Sequence, residues 1–346
     1  EVLRALIGDV LDLSKIDARK LHLESIAFDL RATLHEVCAS LENLALGKGL
    51  ELILRIDPQL PKEVIGDQLR VRQILFNLAG NAIKFTDRGE VRVRASLRRA
   101  EGGLERPHVL LEVEDTGIGI SSEKLEEIFE DFWQADDSTT RCYGGTGLGT
   151  TIARDLTRLM GGRIGVDSEE NAGSRFWVRL PLFPDGVRPV ASAAKRRLSG
   201  YRAIVYDDNQ TSRDLIVEVC TSEGMECDPV GDLGHLSRMS GQAEAADLLI
   251  IADSPKRQDL DALLDLFHRV LGAEIPYLLL TYRGRHAEEN GACSHCLNKP
   301  FLPEDLVEHI RCLLVPDAQD QPEPEEAGAR EEGAPAADAS GRALPV

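Results

Sequence analysis

The apolar positions of this chain fall into several distinct rhythms. Over residues 1–20, EVLRALIGDVLDLSKIDARK, Leu3, Leu6, Ile7, Val10, Leu11 and Leu13 recur at mostly helical spacing, a stripe that needs a partner surface. From 28 to 183 strand-like and helical stretches alternate. PDGVRPVASAAKRRLSG, Pro184 to Gly200, has the Pro, Gly, Ala and basic content of a linker. Between 201 and 315 the apolar runs AIVYDDN, DLLIIAD and PYLLLTY alternate with helical segments, which predicts a parallel α/β domain. From Pro316 to Val346 large apolar residues nearly vanish among Pro, Glu and Ala, the composition of a disordered acidic tail.

At 346 residues the chain is long enough for two domains with sizeable cores. It opens on Glu1 rather than Met and so reads as a piece of something longer. Its 40 basic against 59 acidic residues leave a net charge of −19, which argues against a nucleic-acid or anionic-membrane surface. No apolar run is long enough to span a bilayer, and no signal peptide is visible. The expectation is a soluble portion. Seven scattered cysteines suit reduced cytosolic thiols. One close set, Cys293-Ser294-His295-Cys296, suggests zinc, but a structural site needs a second ligand pair and none is evident.

Three motifs carry candidate chemistry. In NLAGNAIKFT, Asn77 and Asn81 stand one helical turn apart and share a face. Asn is a poor helix-interior residue unless its amide has a task. In HVLLEVEDTGIGI, an apolar strand from Val109 to Val113 runs into Asp115, then Gly117 and Gly119. That pairs a carboxylate able to accept from an exocyclic amine with glycines that let a flat ring approach the backbone; the bland alternative is a tight turn. YGGTGLGT, Tyr143 to Thr150, precedes TIARDLTRLMGG, where Ile152, Leu156 and Leu159 mark an amphipathic helix. A glycine-rich loop opening a helix presents free amides and the positive dipole end to a polyphosphate. It lacks the Lys-Ser/Thr of a Walker A loop and the leading strand of a Rossmann fingerprint. Asn77 and Asn81 are then expected to face this loop, with an amide oxygen on Mg²⁺ and Lys84 adding a point charge to the phosphates. The competing reading is a pair of buried amides bonded to backbone.

NLAGNAIKFT, DTGIGI, FEDFWQAD, YGGTGLGT and GSRFWVRLPL, in this order and spacing, resemble the successive motifs of the sensor histidine kinase ATP-binding domain, in the superfamily shared with gyrase B, MutL and heat-shock chaperone ATPases. The resemblance implies a two-layer α/β sandwich over residues 28–183, with ATP and Mg²⁺ held under a lid. By motif position Asn81 would ligate Mg²⁺, Asn77 would support it, and Asp115 would read the adenine amine. Gly117 and Gly119 would approach the base. Gly145, Thr146, Gly147, Leu148 and Gly149 would form the phosphate lid, anchored by Phe129 and Phe132, for which core packing is an equal account. Asn171 stands where the family often has Gly, and Asn tolerates a left-handed conformation.

The run LIGDVLDLSKIDARKLHLESIAFDL resembles the end of the helical dimerisation hairpin that precedes this domain, placed at residues 1–24, and implies a homodimer through this helix. The phosphoacceptor histidine normally sits on the first helix of that hairpin. Neither His22-Leu-Glu nor His35-Glu36-Val-Cys matches its setting, so the acceptor is expected upstream. Residues 201–315 resemble a response-regulator receiver, a doubly wound, flavodoxin-like domain. Asp207 and Asp208 match its Mg²⁺-holding acidic pair, Thr281 its switch hydroxyl, and Lys299 the lysine that pairs with the phosphoryl group. Counting from Asp247 puts Ala252 at the acceptor position, with Asp253 adjacent and, on a regular strand, on the opposite face. Two readings stand: a degenerate receiver that accepts no phosphate, or one that uses Asp253.

The resemblance therefore implies the catalytic part of a hybrid sensor histidine kinase, acting with a response regulator or histidine phosphotransfer protein. It also implies a cytoplasmic portion of a protein anchored in the bacterial inner membrane through segments missing upstream. Two alternatives compete: a chaperone- or gyrase-type ATPase, and a non-catalytic receiver module that binds a partner.

Overall fold

A computed structural model describes residues 21–98, 107–125, 127–130, 147–182, 198–234, 246–257, 259–271, 275–284 and 296–315. The N-terminal stripe, most of the linker, the tail from 316, Phe132, Gly145, Thr146, Cys293 and His295 lie outside these residues. In the first half, strand β1 (Ile26–Asp29) pairs antiparallel with β3 (Glu63–Gly66). Of the run likened to the end of a hairpin helix, the described residues 21–25 are not helical and Ile26–Asp29 are strand. Helix α1 (Leu30–Gly47) begins at once, because the Asp29 carboxylate accepts from the Ala32 amide at 2.9 Å, satisfying a donor that the first turn leaves unpaired.

Strands β2 (Glu51–Ile56), β4 (Glu90–Arg98), β5 (His108–Asp115), β6 (Arg163–Glu169) and β7 (Gly173–Leu180) form a mixed sheet in the order β2-β4-β5-β7-β6. β2 and β4 are parallel and the other pairs antiparallel. Helices α1, α2 (Gln68–Phe85) and α3 (Gly149–Leu159) cover one face. Alternation along the strands decides what lies beneath them. Leu52, Leu54 and Ile56 of β2, and Val91, Val93 and Ala95 of β4, enter one core with Leu34, Leu41, Ile74 and Leu78. The opposite face carries charges in register, among them Arg92 on Glu114 (3.1 Å) and Arg175 on Glu112 (3.1 Å) and Asp167 (2.7 Å). This is the half-solvated pattern of a mixed sheet. Of the three residues expected on the apolar stripe of α3, Ile152 and Leu156 are buried, but Leu159 at the helix end is 40% exposed.

The second half is a five-stranded sheet of β8 (Arg202–Tyr206), β9 (Glu226–Val230), β10 (Leu248–Ala252), β11 (Tyr277–Thr281) and β12 (Cys296–Asn298), in the order β9-β8-β10-β11-β12 with every pair parallel. Helices α4 (Gln210–Ser222) and α6 (Pro303–Leu314) pack on the face of Ala203, Val205, Ile250 and Leu280. Helix α5 (Leu260–Leu271) puts Leu263, Leu264 and Phe267 on the face of Ile204, Tyr206, Ile251 and Leu279. A central strand run apolar on both faces, with helices on each side, is the doubly wound arrangement.

The two halves meet along β2. Its helix-side residues fill the first core, while Ile53, on the other face, is buried in the core of the second half. Arg55, on the same face as Ile53, pairs with Glu218 of α4. His35 of α1 donates from Nε2 to the Pro300 carbonyl at 2.9 Å, so this histidine has a packing role at the contact. Among the described residues no helix is long and apolar enough to cross a membrane.

Candidate nucleotide site

Asp67 caps α2 by accepting from the Arg70 amide at 3.0 Å. The helix buries Val71, Ile74, Leu75, Leu78, Ala82 and Ile83 against the sheet. Asn77 and Asn81 lie on the flank of this stripe and face the first residue of α3. A β-carbon on Gly149 would stand 3.5 Å from Asn81 Nδ2 and 3.7 Å from Asn77 Cγ. Asn77 Nδ2 is buried and has no hydrogen-bond partner among the described residues. An amide held out of water with nothing to bond is destabilising on its own, and its position beside the start of α3 marks it as a ligand-facing group. Lys84, in the last turn, holds its ammonium 4.6 Å from the Phe85 ring centroid, and partial burial lowers its pKa.

The start of α3 is open in the same sense. Its cap residue Leu148 supplies no side-chain hydrogen bond, so first-turn amides are available to an anion. Gly147 takes φ of 72°, a conformation other residues rarely adopt. Phe129 is partly buried on the core and edge-on to Phe176 at 6.4 Å. Arg154 of α3 donates to its carbonyl, while Thr151 Oγ1 donates to the Glu130 carbonyl at 3.0 Å.

Asp115 ends β5, 8% exposed, level with Ser174 of β7. Burial pushes its pKa up, against the amides of Gly117 and Ser174 that donate to it. The Gly117 bond is 2.8 Å. A side chain at Gly117 would collide with the Phe85 carbonyl (2.4 Å), Asp115 Oδ1 (2.8 Å) and Thr86 Oγ1 (2.9 Å). At Gly119, with φ of 65°, it would meet the Glu169 carbonyl at 1.9 Å. Asn171 answers from the other side: it adopts φ of 63° and donates its amide to the Ile118 carbonyl at 2.7 Å. These contacts fold DTGIG flat against the sheet end.

The residues present fit a purine nucleotide with a hard cation: a buried carboxylate acceptor, flat glycine backbone, two side-chain amides and an uncapped helix start. Asn81 and Asn77 would hold the cation's polyphosphate side, and Asp115 the base.

In the second half Asp207, Asp253, Thr281 and Lys299 are all buried, with Asp208 at the surface. Asp247 immediately precedes β10, its carboxylate accepting from the Arg202 amide at 2.8 Å. Asp253 follows β10, donates its amide to Leu280 and faces Thr281, whose Oγ1 is 3.5 Å from Asp253 Oδ2. Lys299 Nζ contacts Asp207 Oδ2 at 3.3 Å and the backbone carbonyl of Asp253 at 3.0 Å. It also donates to Glu51 Oε1 of the first half, at 2.6 Å. The sequence reading did not reach Glu51, because nothing local to ELILRI distinguishes it from a solvated strand residue.

Residues 66–184 match the family described as histidine kinase-, DNA gyrase B- and HSP90-like ATPase. The signal transduction histidine-protein kinase BarA of Escherichia coli K12 is 40% identical over 226 residues, 65% of this chain and 24% of BarA. The sensor histidine kinase GacS of Pseudomonas protegens is 34% identical over 333 residues, 93% of this chain and 36% of GacS. The crystal structure of full-length ShkA in complex with AMPPNP superposes with a TM-score of 0.65 at 26% identity, covering 90% of this chain and 62% of ShkA. The chain thus spans 24% to 36% of the length of the two curated relatives. It belongs with the hybrid sensor histidine kinases, and residues 66–184 are its ATP-binding ATPase domain.

Proposed function

We propose that this ATPase domain binds ATP with Mg²⁺ and presents the γ-phosphoryl group to a histidine on an upstream helix, the activity of a protein histidine kinase. The observation that carries the reading is the Asn77 amide, without a partner among the described residues, beside Asn81 and Gly149, on the helix whose end at Phe85 and Thr86 flanks Gly117 and the buried Asp115 carboxylate. Asp115 accepts from the exocyclic amine of adenine, and its burial makes that bond selective, because a base lacking the donor leaves the carboxylate unpaired. Gly117 and Gly119 let the ring lie on the backbone. The uncapped amides of α3 hold phosphate oxygens and Lys84 adds charge. Asn81 would ligate the cation and Asn77 would support it, and the cation would supply charge neutralisation at the phosphates.

In the transfer an imidazole nitrogen forms the new N–P bond while the bond to the β-phosphate oxygen breaks and ADP leaves. This chain's part is positioning and charge neutralisation. The acceptor helix would come from a dimer formed through the N-terminal segment, and the phosphoryl group would pass on to a response regulator or histidine phosphotransfer protein. Anchoring in a membrane through segments outside this chain belongs to the same reading.

The test is calorimetric titration of AMPPNP with Mg²⁺ into the chain and its Asn81→Ala and Asp115→Asn variants. Both substitutions are expected to weaken binding at least about tenfold. Undiminished affinity in Asn81→Ala would remove the reading.

A further inference from the structure

In an active receiver, the acidic pair holds a divalent cation and the lysine meets a phosphoryl group. Here both places are filled by side chains of the chain itself. Arg257 puts Nη2 at 3.2 Å from Asp208 Oδ2 and Nε at 3.7 Å from Asp253 Oδ1, and lies over the Tyr206 ring. A guanidinium thus spans the two carboxylates that would share a cation. Lys299, 3% exposed, turns to Glu51 Oε1 of the ATPase domain at 2.6 Å, and Glu51 Oε2 accepts from the Tyr282 hydroxyl at 2.8 Å. The carboxylate of Glu51 offers Lys299 the same anionic oxygens that a phosphoryl group would.

Beside Lys299 the cavity lined by Glu51, Ile53, Ser212, Leu215 and Phe301 measures about 10 Å³, the size of one water, so the two halves are closely packed next to the lysine. The surroundings make the contact hard to exchange casually. Glu90 of the ATPase domain accepts from Asn209 Nδ2 and from Thr211 Oγ1, both at 2.7 Å, at the start of α4. Ile53, two residues from Glu51 on the same face of β2, is buried in the receiver-like core. Burial pushes the Lys299 ammonium down, but Asp207 and Glu51 outweigh it and hold it well above its usual value. Removing either partner from such a pair leaves an uncompensated buried charge.

We infer that the receiver-like pocket is a socket for the ATPase domain: Glu51 and Arg257 stand in for the phosphoryl group and the cation, so that docking on β2 and occupancy of the pocket by a phosphoryl anion exclude each other. The partner of this surface is the chain's own catalytic domain. The inference rests on the receiver-type reading of the second half and is independent of nucleotide binding.

The experiment uses the full chain, Mg²⁺ and beryllofluoride, a phosphoryl analogue, with fluorine NMR reporting bound beryllofluoride and hydrogen exchange reporting β2. AMPPNP titration in parallel shows separately whether the ATPase reading holds. The wild-type chain is expected to give no bound resonance at millimolar analogue. Glu51→Gln combined with Arg257→Gln is expected to give one that needs Mg²⁺ and disappears with Asp253→Asn. A bound resonance in the wild type with β2 exchange unchanged overturns the inference, as does silence in the folded, AMPPNP-binding double variant. If the double variant does not fold, Glu51→Gln alone decides. Exchange at the β2 amides about tenfold faster than wild type supports the socket, and unchanged exchange refutes it.

Discussion

Asn81 Nδ2 lies 3.5 Å from the point where a β-carbon on Gly149 would stand, an ordinary van der Waals separation. The fold therefore tolerates alanine at Gly149, which lies at the first position of α3 and does not need a positive φ. A methyl there nonetheless fills the space between the two amides and the first-turn N–H groups. Gly149→Ala is expected to leave the melting temperature within a degree or two and to weaken AMPPNP at least about tenfold. Unchanged affinity by calorimetry would move the phosphates away from this helix start.

Asn77 separates function from stability in the opposite direction. Its Nδ2 is buried without a partner among the described residues, so truncation removes a desolvated group instead of a made bond, and alanine is the better helix former. Asn77→Ala is expected to stabilise the apo chain by about 1 kcal/mol while reducing nucleotide affinity, the trade seen when a site residue is held for its ligand. Thermal unfolding with and without AMPPNP measures both. A destabilised apo protein would show that the amide is a structural bond after all.

Asp115 sets a pH dependence with opposite signs for binding and for folding. Burial raises its pKa from the ordinary carboxylate value. The neutral form is thus favoured in the fold, and this group's contribution to apo stability is fully present below the unfolded value near 3.8 and lost as pH rises through the raised one. Accepting from adenine needs the ionised form, so affinity falls as pH drops through that same raised value. AMPPNP affinity measured down the acid range is expected to decline at a higher pH than an unperturbed Asp allows. Asp115→Asn should flatten that limb, and a limb unchanged in the variant would assign it to another group.

Cys38 sits fully buried in α1, where desolvation pushes its thiol from 9.0 up to about 12. Thiolate is the reactive form, so Cys38 is expected to resist iodoacetamide in the native chain at pH 8 and to label only on unfolding. Cys312, exposed on α6, is expected to label first among the described cysteines. Peptide mapping after timed alkylation reads both rates, and early labelling of Cys38 would mean that α1 opens readily.

Much of the candidate site was legible because its signals are local. Two asparagines a turn apart, an acid at a strand end before spaced glycines, and a glycine run opening a helix are each a contiguous pattern whose geometry follows from helix and strand periods. What the sequence hid is non-local. Glu51 finds Lys299 across 248 residues, and the run ELILRI shows only an apolar strand with charged punctuation. The acceptor position needs the same non-local information: spacing from Asp247 names Ala252, and only the fold brings Asp253, after β10, against Thr281. Leu159 looked like part of the α3 stripe because periodicity knows nothing of where a helix runs past its core.

The two faces of β2 supply a last test, because adjacent residues there belong to different cores. Leu54 is 2% exposed among ATPase-domain residues, and Ile53 is 5% exposed among those of the receiver-like half. Truncating either to alanine removes a buried aliphatic side chain worth about 2–4 kcal/mol, yet neighbouring strand residues point to opposite sides, so the damage should appear in different places. Leu54→Ala is expected to lower the stability of the ATPase domain and speed exchange in α1 and α2. Ile53→Ala is expected to leave those helices and AMPPNP affinity near wild type, and to speed exchange in α4 and at the Asn209 and Thr211 contacts with Glu90. Hydrogen exchange resolved by peptide measures both patterns. If the two variants loosen the same segments, β2 is not the seam between two cores, and the docking of the receiver-like half must depend on other contacts.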